Sequence, residues 1–356
     1  MVDLDDKGAV VKVQGGDTVL RSVNALPDQL TQSFTESLQV DFSFPQIHNI
    51  LVAGMGGSRF PALIIRELFK EEITVPYNVN DDYLLPGYLN SNSLIVLSSY
   101  SGTTEEVINA GKLAKEKGIS LTGVTNGGEV KKMLTEMNAP AYYFDPVHNP
   151  STQPRIGFGY LVGGHLGLLL KLGVLKISEG EIITALKNLP SLLQQFKIET
   201  PTKDNPAKQL ALKLVQKYPY YTVAEFLTGV GNAVANQTNE TAKTISSYRV
   251  IPELNHHLME GLKFPDVHAQ IAMFVFLYSE LYSTQIKKRF KITKDVVEQN
   301  KIETYWYEMQ GKNKVEQAFE LMGFGSYLSM YLSALYEQDP AAIPYVDYFK
   351  QKLKEM

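Results

Sequence analysis

Leu94-Ile95-Val96-Leu97-Ser98-Ser99-Tyr100-Ser101-Gly102-Thr103-Thr104-Glu105-Glu106 decides the reading of this chain. Its four apolar residues read as a buried strand, and Val107 to Lys117 reads as a helix. Between them lies a loop rich in hydroxyls, with one glycine. The first N–H groups of a helix lack internal partners, and the helix dipole places partial positive charge there. Ser and Thr add neutral donors. A loop of this kind at a strand-to-helix junction suits a phosphate. Thr103-x-x-Glu106 also reads as a capping box, and Glu105 and Glu106 suit the dipole. Capping accounts for Thr103 and the acids but not for Ser98, Ser99, Ser101 and Gly102 together. Neutral donors fit a sugar phosphate better than a triphosphate, which recruits a P-loop lysine and a magnesium ligand.

The same pattern recurs outward from this stretch. Ile47 to Ala53 reads as a strand, Gly54-Met55-Gly56-Gly57-Ser58 as a turn and Pro61 to Lys70 as a helix. Ser120–Val124 is a further strand, Gly157–Leu172 an apolar helix, and Asp28–Gln39 the one helix expected in residues 1–45. In the second half, Tyr220–Ala224, Ile271–Leu277 and Thr304–Met309 read as strands, although Ile271–Leu277 also suits a helix. Gly231–Ile245 and Val315–Tyr336 read as helices. Alternating short strands and helices predict parallel α/β sheets, whose binding loops lie at the carboxyl ends of the strands. Gly54–Ser58 is no dinucleotide fingerprint, because Arg59 stands where the last glycine would follow. Its glycines allow close backbone approach to a ligand, or simply a tight turn.

With 356 residues, two domains are expected. The Pro-punctuated stretch Lys187–Asp204 marks the region of division, placed at 1–185 and 186–356. A net charge of −4 gives no reason to expect nucleic acid or an anionic membrane. No apolar run approaches the roughly 20 residues of a membrane span, and the acidic start lacks a signal-peptide pattern. A cytoplasmic protein is expected. The absence of cysteine removes disulfides, thiolate metal sites and a cysteine nucleophile. The six histidines form no metal motif, so no metal or other cofactor is expected.

Ser99 to Glu106 resembles the phosphate loop of sugar isomerase (SIS) domains. Gly54–Ser58, Gln153-Pro154-Arg155, Asn239-Glu240-Thr241-Ala242-Lys243 and Pro252-Glu253-Leu254-Asn255-His256 follow the order seen in bifunctional phosphoglucose/phosphomannose isomerases. Asp339-Pro340 and Asp347-Tyr348-Phe349-Lys350 match as well, so the resemblance runs from about residue 45 to the end. It implies an α/β fold of two SIS-type domains, each a mainly parallel sheet between helical layers, the second with a C-terminal helical tail. The family usually has Asn where Thr103, Thr241 and His257 stand, and a small hydroxyl residue at Ala341. The first three departures bear on substrate preference more than on activity.

The implied reaction interconverts glucose 6-phosphate, and mannose 6-phosphate too, with fructose 6-phosphate through a cis-enediol. One carboxylate can move the proton between C2 and C1, and Glu240 fits because it lies in a polar run of an otherwise apolar helix. A surface glutamate paired with Lys243 is the alternative from spacing alone. His256 suits ring opening because its ordinary pKa is near neutrality. Similar enzymes take this histidine from the neighbouring subunit, which implies a homodimer. Lys350 resembles the lysine near the ring oxygen, and Arg155 would stabilise the enediolate. Gly56, Gly57, Ser58, Ser99, Ser101 and Thr104 would hold the small-molecule sugar phosphate. Isomerisation of another sugar phosphate, or non-catalytic sensing of one, is the alternative. Sensors usually carry a DNA-binding module, and no basic helix-turn-helix pattern precedes residue 45.

Overall fold

A computed structural model describes residues 2–355. The first half forms a five-stranded, wholly parallel sheet. Its strands are β1 (Asn49–Ala53), β2 (Tyr77–Asn80), β3 (Ser93–Ser99), β4 (Ser120–Thr125) and β5 (Tyr142–Tyr143), in the order β2-β1-β3-β4-β5. All seven residues of β3 are buried, as expected for a central parallel strand covered on both faces. Successive side chains alternate between two cores. Ile50, Val52, Leu94 and Val96 face the larger core, with Phe60–Leu68 and Phe158–Lys171 packed over it. Leu51, Ile95 and Leu97 face a smaller one under Glu105–Glu116 and Gly128–Glu136.

The second half repeats the plan with four parallel strands. These are β6 (Tyr218–Ala224), β7 (Ser247–Ile251), β8 (Ala272–Tyr278) and β9 (Glu303–Glu308), in the order β7-β6-β8-β9. The helix Lys314–Leu335 is buried from Val315 onward and packs against Gly16–Asn24 of the first half and Thr228–Thr241 of the second. The helix Thr228–Thr241 also meets Phe60–Leu68. A Cβ on Gly229 would collide with the backbone of Leu63 and Ile64, so only glycine permits this close crossing. The contact brings the end of a second-half helix to the carboxyl edge of the first sheet.

Several elements differ from the expectation. Residues 1–45 hold three helices, Lys7–Val10, Gly16–Asn24 and Leu26–Ser37, rather than one. The edge strands β2 and β7 and the helix Thr284–Gln299 are additions to the sequence reading. Pro190 does not break the chain; it lies inside Glu179–Leu193, a helix started by a Ser178/Glu181 capping box. Residues 185 and 186 are thus helical, and that helix packs on both Leu26–Ser37 and Lys314–Leu335. No helix among the described residues is long and apolar enough to cross a membrane.

Candidate active site

The loop after β3 is shaped by its own hydroxyls. Gly102 is left-handed (φ 69°), and a Cβ there would collide with the Gly127 carbonyl. The Gly102 amide donates to Ser99 Oγ at 3.0 Å, and Ser99 Oγ lies 2.9 Å from Thr104 Oγ1. Ser101 Oγ and Thr103 Oγ1 are 2.9 Å apart. Thr103 is not the cap that its spacing suggests. The helix Glu105–Glu116 starts from Thr104, whose hydroxyl bonds Ser99 rather than the helix, so no side chain caps this N-terminus. The Thr103 hydroxyl meets Ser101 instead of the helix amides, so the capping box is not formed.

The loop after β1 is fastened to this one. Ser58 Oγ accepts from the Tyr100 amide at 2.8 Å, and Ser98 Oγ donates to the Ser58 carbonyl at 2.7 Å. His165 Nε2 lies 3.0 Å from Ser98 Oγ. Because Ser98 spends its proton on Ser58, His165 must donate through Nε2, which fixes the tautomer. Burial pushes its imidazole down to about 3, so it is a neutral strut. Sequence reasoning passed over His165, although it is the one imidazole in the apolar helix Phe158–Lys171.

Gly57 packs on the Pro154–Arg155 backbone, where a Cβ would lie 2.8 Å from the Arg155 nitrogen. The Arg155 side chain is 1% exposed. Its Nε donates to Thr241 Oγ1 (3.1 Å), Nη1 to Gln153 Oε1 (2.8 Å), and Nη2 to the carbonyls of Pro340 (2.6 Å) and Ala341 (2.9 Å). Nη1 also stands 3.7 Å from Glu240 Oε2. Burial lowers the guanidinium pKa, with Glu240 and Asp339 opposing.

Glu240 occupies the last turn of Thr228–Thr241 and is 31% exposed. Burial raises its pKa above the ordinary carboxylate value, while Arg155, Lys243 and Lys350 pull against the rise. Lys243 does not pair with the Glu240 carboxylate. Its Nζ donates instead to the Glu240 carbonyl (2.7 Å) and to the Ala342 carbonyl (2.7 Å). Burial brings that ammonium down to about 8, helped by Arg155 and opposed by Asp339 and Glu240.

These groups meet around a cavity of about 740 Å³. Gly56, Gly57 and Ser58 border it from one loop, and Ser101 and Thr104 from the other. Arg155 and Glu240 form its deep wall, and Lys350 reaches it from the C-terminal helix Pro344–Glu355. Ser99 is buried and does not line the cavity; it holds the loop from below. His256 is absent from the cavity too. It sits exposed in the short turn Glu253–His256 beyond β7, and His257 pairs loosely with Glu253 at 3.8 Å. Sequence reasoning missed Val346, Phe349 and Leu353, which roof the cavity. Their i, i+3, i+7 spacing on one helix face was the available signal.

Residues 203–353 match the model of the bacterial phospho-glucose isomerase C-terminal SIS domain. Over 342 residues the chain is 30% identical to a bifunctional phosphoglucose/phosphomannose isomerase of Caldicellulosiruptor bescii, covering 95% of this chain and 99% of the relative. The chain belongs to the bifunctional phosphoglucose/phosphomannose isomerase family. An Aquifex aeolicus protein of the same name is 23% identical over 307 residues, covering 86% of this chain and 90% of the relative. The crystal structure of a hypothetical protein from Thermus thermophilus shares the fold, with a TM-score of 0.75 at 14% identity over 97% of this chain and 92% of that one. Of the departures from the family pattern, Thr241 is the one whose side chain bonds Arg155, its hydroxyl accepting from Nε.

Proposed function

We propose that the chain is a phosphoglucose/phosphomannose isomerase that interconverts glucose 6-phosphate and mannose 6-phosphate with fructose 6-phosphate, using no cofactor. The observation that carries this reading is the half-buried Glu240 carboxylate, raised in pKa and beside Arg155 on one wall of a cavity whose other wall carries the hydroxyl loop. The phosphate would rest on Ser101, Thr104 and the uncapped start of Glu105–Glu116. The glycine loop would lie along the sugar, leaving C1 and C2 toward Glu240.

Glu240 then takes the C2 proton of the aldose while the C1 carbonyl oxygen is protonated, giving a cis-enediol. It returns that proton to C1 as the C2 hydroxyl gives up its own and becomes the carbonyl, so that one hydroxyl proton passes in net from O2 to O1. A carboxylate whose pKa is raised toward the working pH is the better base. Arg155 offsets the charge that develops on the carbonyl oxygen, and its guanidinium stays protonated throughout. Lys350, across the cavity, serves the ring-oxygen region. His256 completes the site from the second subunit of a homodimer, opening the ring before proton transfer. The setting is the cytoplasm.

A coupled assay on glucose 6-phosphate and mannose 6-phosphate tests the reading directly. The wild-type chain turns over both sugars, and no turnover of either sinks it. Glu240→Gln should lower kcat by about 10²- to 10⁴-fold. Affinity for sorbitol 6-phosphate, which has no carbonyl to react, should hold.

A further inference from the structure

The C-terminal helix Pro344–Glu355 carries Lys350 yet has no buried residue of its own. Its direction is therefore set at its root, Asp339 to Ile343. Asp339 Oδ1 accepts from the amides of Ala341 (2.7 Å) and Ala342 (3.2 Å). Arg155 grips the Pro340 and Ala341 carbonyls. The next carbonyl, Ala342, is held by Lys243 Nζ at 2.7 Å. The same ammonium holds the Glu240 carbonyl at 2.7 Å and reaches the Thr241 carbonyl at 3.4 Å. One cation thus ties the end of the base-bearing helix to the root of the lysine-bearing helix.

The backbone at 243 strengthens the point. Ala242 is the C-cap of Thr228–Thr241, so Lys243 is the next residue out, and it is left-handed (φ 53°). Glycine is the usual occupant there because a side chain costs conformational energy. A lysine at this position is held against that cost, and its ammonium lies where both carbonyls can be reached. Its side chain does not border the cavity.

We propose that Lys243 is a positioning residue for the isomerase reaction, clamping the Glu240 helix to the root of the C-terminal helix so that Glu240 and Lys350 face one substrate. The proposal rests on the isomerase reading for its kinetic arm alone. Lys243→Gly separates clamp from fold, since glycine relieves the left-handed backbone while removing the ammonium. The variant should melt no lower than wild type by more than a few degrees. Its kcat should fall roughly tenfold or more, with a smaller change in KM. Lys243→Arg should recover most of that loss. In a cycle with Lys350→Met, the double variant should be no slower than Lys350→Met alone, because the clamp acts through the lysine-bearing helix. A Lys243→Gly kcat within about twofold of wild type, or losses that add, overturns the proposal.

The second arm needs no turnover. Chymotrypsin should cut at exposed Tyr345 and Tyr348 several-fold faster in Lys243→Gly than in wild type, without substrate. Equal cutting rates overturn the clamp whatever the sugar assay gives. A wild-type chain inactive on both sugars, with faster cutting in the variant, removes the isomerase reading and leaves the clamp standing.

Discussion

Gly57→Ala would test whether the register of Arg155 controls the reaction. A Cβ at residue 57 would lie 2.8 Å from the Arg155 nitrogen and 3.0 Å from both Arg155 Cα and the Pro154 carbonyl carbon. Ordinary contact begins at 3.4 Å, so about 0.6 Å must be found. All three obstructing atoms are backbone, and no side-chain rotation relieves them. The Gln153–Arg155 loop has to retreat, and with it the guanidinium 3.7 Å from Glu240. A misplacement of about 1 Å costs on the order of a hundredfold in rate, so 0.6 Å translates to roughly tenfold in kcat. Overpacking of this kind also costs about 1–3 kcal/mol of stability. Gly118→Ala is the control. Gly118 is left-handed (φ 65°) with nothing within 4 Å of a built Cβ, and it lies away from the cavity. Its alanine costs about 1–2 kcal/mol of backbone strain and pushes on nothing. Urea melts and coupled-assay kinetics on both variants separate the effects. Both should lose comparable stability, and only Gly57→Ala should lose turnover. Equal kcat losses, or a Gly57→Ala kcat within about twofold of wild type, would refute the reasoning.

Two other outcomes follow from the buried histidine and the exposed one. His165 is held neutral, with its folded pKa lowered to about 3 from an ordinary 6.5. Its contribution to stability is therefore intact above pH 6.5 and drains away as pH falls toward 3. Between pH 7.5 and 5 wild type should lose about 2 kcal/mol more than His165→Gln in urea unfolding, and equal losses would remove His165 as the acid-sensitive strut. For His256, mixing inactive Glu240→Gln with inactive His256→Ala and allowing subunits to exchange should restore activity, because one hybrid site in two then pairs intact Glu240 with intact His256. Continued inactivity after exchange places His256 outside a shared site.

What was legible in the sequence was whatever burial alone specifies. Strands β1, β3 and β4 are apolar because both faces of the sheet are covered, and their carboxyl-end loops carry glycine and hydroxyl residues in plain sight. Arg155, Glu240 and Lys350 stand out by motif, and the fold brings them to one cavity from positions up to 195 residues apart. The losses have local causes. The edge strands Tyr77–Asn80 and Ser247–Ile251 are partly exposed and polar, so the apolar signal fades there. Pro190 reads as a breaker, but Glu179–Leu193 already has a strong cap and two packing partners. Ser99 reads as a ligand donor, and its hydroxyl lies 2.9 Å from that of Thr104, off the cavity wall. Which of several hydroxyls faces outward is set by backbone turns that composition does not encode.

The loops at equivalent positions of the two sheets differ in how their polar groups are used. By sheet position β6 corresponds to β1 and β8 to β3, so Ser279–Thr284 is the counterpart of the hydroxyl loop. There the first hydroxyl, on Ser279, is buried and turned inward. Ser279 Oγ donates to Gln317 Oε1 at 2.6 Å and accepts from the Leu281 amide at 2.9 Å. At the start of the following helix, the Ser283 amide already faces the chain's own carboxylate, Glu225, at 3.3 and 3.2 Å. Glu225 is itself left-handed (φ 44°). The corresponding helix start in the first half, at Glu105–Glu116, has no side-chain cap, although Glu105 and Glu106 lie in its first turn. The first half keeps an uncapped helix start beside its cavity. The second half, its own loop filled, contributes Glu240 and the helix that carries Lys350 to the opposite wall.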